Sequence, residues 1–231
     1  MPMRINKYLS QSGTCSRREA DRLIQAGQVS INGHRAKPGD QVMEGDRVTF
    51  FGKNVRGAEH PVYIALHKPV GYITTTSRKS KDNVLDLVKN VPERLFPVGR
   101  LDVESSGLLL LTNDGETANK LMHPRYEHEK EYEVAVHRPI SDAQLAHLAR
   151  GITLEDGKTA PAQTRRIGPK SFTITLKEGR NRQIRRMCEA LNLDVVKLHR
   201  VRIQSLRLGD LKSGAWRHLT SEEASQLTKT G

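Results

Sequence analysis

Aromatic residues, cysteines and long apolar stretches are all scarce in this chain of 231 residues. Phe, Trp and Tyr together make up 4 % of the sequence, and no stretch approaches the roughly 18 consecutive apolar residues of a transmembrane helix. The N-terminus shows no apolar signal region. Cys15 and Cys188 are isolated thiols, which favour a reducing compartment over a disulfide framework. We therefore expect a cytoplasmic protein without a membrane partner.

The motifs that bind the common cofactors are also missing. The sequence has no Walker loop, no dinucleotide-binding glycine fingerprint, no H-E-x-x-H motif and no cysteines at zinc-ligand spacing. His123 and His128 have no third ligand nearby in sequence, so we interpret them as surface or structural histidines. No metal and no cofactor is therefore expected.

Acidic residues are too few to balance the basic ones. Lys and Arg total 38 against 26 for Asp and Glu, and the formal net charge is +12. An excess of this size indicates a polyanionic partner, and nucleic acid fits best. Apolar residues still make up 36 % of the chain, which is enough for a sizeable core. The sequence therefore predicts a folded protein that binds nucleic acid.

Composition and periodicity divide the chain into three parts. Residues 1–52 show helical spacing followed by short strands and turns, which predicts two helices and a small sheet. Residues 53–61 contain glycines and charges without periodicity and are interpreted as a linker. Residues 62–231 mix strands and helices without regular alternation. We expect an α+β fold whose larger domain has a mixed, mostly antiparallel sheet flanked by helices and loops.

Basic residues are concentrated in the N-terminal part. Residues 1–56 contain ten Lys or Arg and five Asp or Glu, and Arg18 and Arg22 share one helix face. Any single arginine here is more typical of a solvated helix. The cluster as a whole favours RNA binding, because contacts to phosphates are additive and independent of sequence.

A single carboxylate, Asp102, lies in a turn that leads into an apolar strand at residues 108–111. The turn covers residues 97–102 (PVGRLD) and is followed by Ser-Ser-Gly. An Asx turn is the ordinary role of such a residue. The functional alternative is that this single carboxylate carries chemistry.

A second segment of interest is the predicted strand at residues 130–136 (KEYEVAV). Its alternation places Tyr132 on the same face as Val134 and Val136, and Glu131 on the opposite face. The simplest interpretation is a tyrosine in the core. The functional alternative is an aromatic platform on which a nucleic-acid base stacks.

The third segment, residues 178–191, is predicted to contain an amphipathic helix that follows a Gly-Arg turn. Ile184 and Met187 begin its apolar face, on which Cys188 also lies. Four arginines fall between residues 180 and 186 at the start of this helix. A solvated face is one explanation, but the positive end of the helix dipole favours phosphate binding.

Taken in chain order, these segments resemble a known set of motifs. Residues 99–102 (GRLD), 130–132 (KEY) and 179–187 (GRNRQIRRM) are similar to motifs of the RsuA-type pseudouridine synthases. Residues 67–71 (HKPVG) resemble the Lys-Pro-x-Gly segment that opens their catalytic domain. The N-terminal unit, residues 1–52, is similar to an S4 RNA-binding domain, especially at residues 15–21 (CSRREAD) and 29–33 (VSING). The resemblance covers nearly the whole chain. Within the family it is closest to the RluF branch, which acts on 23S rRNA.

The resemblance implies isomerisation of uridine to pseudouridine in RNA. In that reaction the N-glycosidic bond breaks, the base turns in the site and a carbon–carbon bond forms. Asp102 would be the catalytic aspartate, Arg185 would pair with it, and Tyr132 would stack on the uracil and assist proton transfer from C5. Arg100 would fill the gap left by the extruded nucleotide, and Ile184 would form an apolar wall. Contacts to substrate or RNA are further implied for Arg182, Arg186, Lys68, Arg17, Arg18 and Arg22.

Several alternatives stay open at this point. The sequence does not choose between attack of Asp102 on the sugar, attack on the base, and elimination from the sugar. A non-catalytic S4-type RNA-binding or ribosome-associated protein would also be basic, and a synthase could act on 16S rRNA or tRNA. A nucleoside hydrolase would use two carboxylates, for which Glu104 and Asp114 lie nearby in sequence. The ordered motifs favour the synthase, and a monomer is expected.

Overall fold

The computed structural model describes residues 2–57, 60–77 and 80–229. The chain divides into two compact units. The first comprises most of the chain up to Val62 together with Val91–Leu95 and Asn113–Gly115, and the second comprises the remainder. No helix among the described residues is long and apolar enough to cross a membrane.

The first unit contains two helices and two small antiparallel sheets among its described residues. One sheet pairs β1 with β4, and the other has the order β3-β2-β5-β6. A core of apolar residues from both helices and from β2 and β5 holds the unit together. The elements are α1 (Ile5–Gln11), α2 (Arg17–Gln25), β1 (Met3–Arg4), β2 (Val29–Ile31), β3 (His34–Arg35), β4 (Gln41–Val42), β5 (Val48–Phe50) and β6 (Lys53–Asn54).

Local sequence signals explain how this unit forms. The hydroxyl of Ser16 accepts a hydrogen bond from the backbone N–H of Glu19 at 3.2 Å and so begins α2. Asn32 and Gly33 connect β2 to β3 with φ values of 52° and 84°, the two left-handed residues of a type I′ turn. The interpretation of residues 53–61 as linker is wrong at its start, because Lys53–Asn54 pairs with β5. Residues 58 and 59 of that segment lie outside the described residues.

The second unit is built on a nine-stranded sheet. Its main path has the order β13-β14-β10-β15-β9-β7-β17. Outside this path, β16 pairs with β15, and β8 pairs with β9. Only β9 and β15 pair in parallel, which confirms a mixed, mostly antiparallel sheet among the described residues. The strands are β7 (Tyr63–Lys68), β8 (Phe96–Val98), β9 (Ser106–Thr112), β10 (Lys130–Val136), β13 (Gln163–Gly168), β14 (Ser171–Leu176), β15 (Val195–Ile203), β16 (Leu206–Arg207) and β17 (Trp216–His218).

Helices and a separate hairpin complete the second unit. A capping box at Ser141 begins α4, and Gly151 follows its last residue with a φ of 86°. The hydroxyl of Thr220 accepts a hydrogen bond from the N–H of Glu223 and so caps the start of the last helix. The elements are α3 (Gly115–Met122), α4 (Asp142–Arg150), α5 (Gln183–Glu189), α6 (Ser221–Lys229), the 3₁₀ helices Val84–Val88 and Pro124–Tyr126, and the hairpin of β11 (Thr153–Leu154) with β12 (Gly157–Lys158).

Two apolar clusters cover different parts of the large sheet. One packs α4 and α5 against β10, β14 and β15, and the other packs α3 and α6 against β7, β8 and β9. The central strand β9 is buried at every position. Burial on this scale is the main source of the free energy of folding. The sheet therefore provides a rigid platform for the turn that precedes β9.

Candidate active site

Asp102 lies in the turn between β8 and β9, as the sequence indicated. The hydroxyl of Thr74 anchors this turn, since it donates to the carbonyl of Leu101 at 2.8 Å and accepts from its N–H at 3.3 Å. The carbonyl of Asp102 accepts a hydrogen bond from the N–H of Ser105 at 3.0 Å. Across residues 2–57, 60–77 and 80–229, no group donates to the Asp102 carboxylate, so the structure does not use it for an Asx turn.

A buried lysine also donates hydrogen bonds to the backbone of this turn. Lys68 ends β7, is completely buried, and donates from Nζ to the carbonyls of Ser105 at 2.7 Å and Pro69 at 2.9 Å. Burial lowers the pKa of Lys68 to about 8, with Asp102 opposing the shift and Arg200 adding to it. Lys68 is therefore placed to position the turn and not to contact RNA directly.

Arg200 is a second buried cation at this position. It lies on β15 beside Gly107 of β9, and only 2 % of it is exposed. Its Nε donates to the carbonyl of Leu108 at 2.7 Å and its Nη1 to the carbonyl of Arg100 at 3.4 Å, whereas Nη2 has no hydrogen-bond partner among the residues that the structure describes. Within the described ranges no carboxylate forms an ion pair with this guanidinium, which is unusual because desolvation of a charge is costly unless the charge is paired. The turn of Asp102 thus has two buried positive charges next to it.

Tyr132 lies beside Arg200 on the neighbouring strand β10. The guanidinium carbon of Arg200 is 6.0 Å from the centre of the Tyr132 ring. The ring is half-buried and packs against the same core cluster as Val134, as the alternation predicted. On the opposite face of β10, Glu131 accepts a hydrogen bond from Arg202 at 2.8 Å. Tyr132 therefore combines a core contact with a partly open face.

The expected pairing of Arg185 with Asp102 is not what the structure shows. Arg185 instead lies near Glu104, with its Nε 3.6 Å from the Glu104 carboxylate and its Nη2 donating to the Glu104 carbonyl at 3.2 Å. Its Nη1 donates to the carbonyl of Val195 at 3.2 Å. Since Glu104 is in the same turn as Asp102, Arg185 still contacts the turn, but through a different acid.

The other residues of the arginine-rich helix have varied surroundings. Arg182 donates to Glu104 at 2.9 Å, and this bond holds the pKa of the Glu104 carboxyl below its usual range. Arg186 forms two hydrogen bonds of 3.0 Å to Asp156. Ile184 is buried in the core cluster against which Tyr132 packs, whereas Arg100 is exposed at the start of the turn. The helix α5 begins at Gln183, directly after Arg182, whose φ is 47°.

The N-terminal arginines form a separate exposed group on the first unit. Arg17, Arg18 and Arg22 all lie on α2 and are exposed. Arg22 is paired with Glu19 of the same helix. Among the described residues, Arg17 and Arg18 have no acidic partner. Their charges are therefore available to a polyanion.

Sequence reasoning missed Arg200 as a member of the site. From the sequence, Arg200 counted only toward the net charge. The signal that could have found it is its spacing from Leu198, because residues two apart on a strand point to the same face, which is buried here. The strand β15 runs without interruption from Val195 to Ile203 and is followed by the short β16. The continuity of β15 brings Arg200 between Tyr132 and Gly107.

Known proteins with similar sequences and structures define the class of this molecule. Residues 62–190 match the family model described as RNA pseudouridylate synthase, and residues 3–48 match the S4 domain. The chain is 46 % identical over 228 residues to "Dual-specificity RNA pseudouridine synthase RluF" of Salmonella typhi, covering 98 % of this chain and 78 % of the relative. It is 43 % identical to "Ribosomal large subunit pseudouridine synthase B" of Bacillus subtilis, over 97 % and 95 % of the two chains.

A solved structure agrees with the sequence relatives. The "Crystal structure of pseudouridylate synthase" matches 97 % of this chain and 99 % of its own with a TM-score of 0.70 and 31 % identity. An RNA-modifying isomerase with an N-terminal S4 domain is the class that these matches define. The chain belongs to the RNA pseudouridylate synthase family.

Proposed function

We propose that this enzyme converts a specific uridine of 23S rRNA to pseudouridine, as a cytoplasmic monomer, with Asp102 as the catalytic carboxylate of a flipped-base pocket. The single observation that supports this assignment is the environment of the Asp102 turn. Two buried cations contact this turn, since Lys68 donates to the carbonyl of Ser105 and Arg200 to the carbonyl of Arg100. Tyr132 lies beside Arg200 on the adjacent strand, with its ring centre 6.0 Å from the guanidinium.

The reaction places two demands on these residues. The bond between N1 of uracil and C1′ of the sugar breaks and a bond between C5 and C1′ forms, while C5 loses its proton and N1 gains one. Breaking the first bond builds positive charge on the sugar, which a carboxylate stabilises or captures. It also builds negative charge on the detached base. The buried cations near Asp102 favour that anion electrostatically.

The neighbouring residues hold the nucleotide in this arrangement. The open face of Tyr132 provides a platform on which uracil stacks, and its hydroxyl assists removal of the C5 proton. Ile184 supports that platform from the core. Arg185 stabilises the turn through Glu104, and the exposed Arg100 occupies the gap that the extruded nucleotide leaves. Unstacking a base costs a few kcal/mol, so an occupant of the gap helps to keep the base out.

Positive charges on both units supply the affinity for rRNA. Arg17, Arg18 and Arg22 would contact phosphates through the first unit, and Arg182 and Arg186 would do so in the second. The choice of 23S rRNA is supported by the relative from Bacillus subtilis, whose name specifies the large ribosomal subunit. The relative from Salmonella typhi carries the words "dual-specificity", so a second RNA is a target worth measuring.

The decisive experiment compares the wild-type chain with Asp102→Asn on purified 23S rRNA, 16S rRNA and tRNA transcripts. Uridine labelled with tritium at C5 reports the reaction, because tritium leaves when C5 bonds to the sugar. We expect release from 23S rRNA with the wild type, and a loss of at least about 1,000-fold with the variant, since the carboxylate acts on the reacting atoms. The affinity for RNA should change by less than about threefold, because phosphate contacts are untouched.

Four outcomes would contradict this assignment. Substantial turnover by a folded Asp102→Asn variant would remove Asp102 from the mechanism. Release of free uracil would indicate a hydrolase, and conversion of only 16S rRNA or tRNA would move the substrate to another RNA. Binding of rRNA by the wild type without any conversion would leave only an RNA-binding protein.

A further inference from the structure

The turn between β5 and β6 carries an exposed phenylalanine where this type of turn disfavours one. Phe50 pairs with Lys53, so Phe51 and Gly52 form a two-residue loop. Both have positive φ values, 47° and 73°, as a type I′ turn requires. Asn, Asp and Gly adopt this backbone readily, whereas a bulky side chain is strained there.

Another hairpin of the same unit has the residues that a type I′ turn usually contains. The β2–β3 hairpin uses Asn32 and Gly33 with φ values of 52° and 84° for an equivalent turn. Phe51 therefore stands where the other hairpin has asparagine. A hydrogen bond keeps Phe51 in this strained conformation, because its N–H donates to the carbonyl of Gln28 at 2.9 Å. Strain that is maintained by surrounding contacts is characteristic of functional positions.

The ring of Phe51 faces solvent and not the core. It is 57 % exposed, and it contacts Phe50 edge to face with the ring centres 4.8 Å apart at 86°. Phe50 in turn packs against the core of the unit. The orientation of Phe51 is thus fixed by a supported neighbour, while a large part of its surface remains uncovered.

Basic and hydroxyl groups surround this ring in one shallow cleft. Its lining includes Lys53, Arg56, Ser12 and Thr14 as well as the two phenylalanines. No acidic residue occurs between residues 50 and 57. In the described part of the chain, neither the Lys53 nor the Arg56 side chain has an ion-pair or hydrogen-bond partner. An aromatic face beside free cations matches the chemistry of an unpaired nucleotide, whose base stacks and whose phosphates bind cations.

We propose that Phe51 is a stacking platform for an unpaired nucleotide of the RNA, with Lys53 and Arg56 contacting the flanking phosphates. This site is distinct from the residues around Asp102 and from the arginines of α2. It rests on the proposed function in one respect, namely that RNA is the substrate. A stacked base explains why an apolar ring is kept in a strained and exposed position.

The test uses the full-length chain and two variants at this position. Phe51→Asn gives the turn the Asn-Gly sequence of the other hairpin, so it should fold at least as stably as the wild type, and Phe51→Trp keeps an aromatic face. The probes are a fluorescein-labelled oligouridylate of about 12 nucleotides and an RNA duplex of about 12 base pairs. We expect Phe51→Asn to weaken oligouridylate binding about tenfold and Phe51→Trp to retain it, because stacking on an aromatic side chain is lost only in the first variant. Binding of the duplex should be unchanged in both.

Met43→Ser is the matched control, because Met43 is similarly exposed, at 54 %, elsewhere in the same unit. It should leave both affinities unchanged. The proposal is overturned if Phe51→Asn binds oligouridylate as tightly as the wild type, or if the wild type does not bind it. It is also overturned if Phe51→Asn loses affinity only for assembled ribosomal particles, which would indicate a protein partner. In each case, conversion of 23S rRNA at saturating RNA tests the proposed function separately.

Discussion

Gly107 and Arg200 are in direct backbone contact across the parallel pair of β9 and β15. A Cβ atom on Gly107 would lie 2.2 Å from the carbonyl oxygen of Arg200 and 2.6 Å from its nitrogen, and the φ of Gly107 is +109°. Only glycine fits both the space and the backbone conformation. This contact brings the Arg200 side chain under the turn of Asp102.

Gly107→Ala should therefore be severely destabilising. The new methyl group meets the backbone of Arg200 and the positive φ adds strain, so we expect a loss of at least about 3 kcal/mol in the free energy of unfolding. Urea denaturation of the purified chain measures this loss. Gly115→Ala is the control, since a Cβ there meets nothing within 4 Å, and it should be close to neutral. If the two variants were equally stable, the backbones of β9 and β15 would have room for a methyl group at Gly107, which would contradict this prediction.

Tyr132→Ala should lose far more activity than stability. The ring is only half-buried, so we expect unfolding to become easier by about 2 kcal/mol, while turnover falls at least about 100-fold because the platform for uracil is gone. Tyr132→Phe keeps the platform and tests the hydroxyl alone, through kcat. Parallel losses of stability and activity in Tyr132→Ala would instead identify Tyr132 as a core residue only.

Glu104→Gln distinguishes a synthase from a two-carboxylate hydrolase. The Glu104 carboxylate is exposed and paired with Arg182 and Arg185, so its loss should leave the thermal unfolding temperature almost unchanged. We expect isomerisation to persist within about tenfold, because the proposed chemistry uses one carboxylate. Freed Arg182 should also bind RNA slightly more tightly. Complete loss of turnover would show that Glu104 takes part in the chemistry.

Arg17 and Arg18 should contribute to RNA affinity through charge. Replacing both with alanine removes two free cations of α2, so the slope of log affinity against log salt should decrease by about two. Fluorescence anisotropy with an rRNA fragment across a salt series measures the slope. Arg22→Ala is a useful comparison, since Arg22 is already paired with Glu19 and should change the slope less. An unchanged slope in the double variant would mean that these arginines are merely solvated.

His199 should make the protein less stable in acid. Burial, together with nearby His67 and Lys197, lowers the pKa of His199 to about 4 from an ordinary value of 6.5. Between these two pH values the unfolded chain binds the proton more readily than the folded one, so the free energy of unfolding falls as the pH falls from 6.5 to about 4. His199→Gln should remove part of that dependence, measured by urea denaturation at several pH values. Replacement of the exposed His34 by glutamine should leave the wild-type dependence intact.

Much of the architecture could be read from short stretches of sequence. Ser141 and Gly151 mark the ends of α4, Asn32 and Gly33 form the expected hairpin, and the alternation around Tyr132 places it on the apolar face. These features depend on hydrogen bonds and side-chain periodicity within a few residues, which a single segment contains in full.

The electrostatics of the site were decided by the tertiary structure alone. Arg200 comes under the Asp102 turn because β15 pairs with β9, which lies far earlier in the chain, and Arg185 meets Glu104 and not Asp102 because of where α5 packs. Strand order and helix packing follow from burial of the whole core, to which residues far apart in sequence contribute together. The resemblance of the motifs to a known family thus suggested the chemistry and its aspartate as hypotheses, while the packing of the sheet determined which cations lie beside the turn of that aspartate.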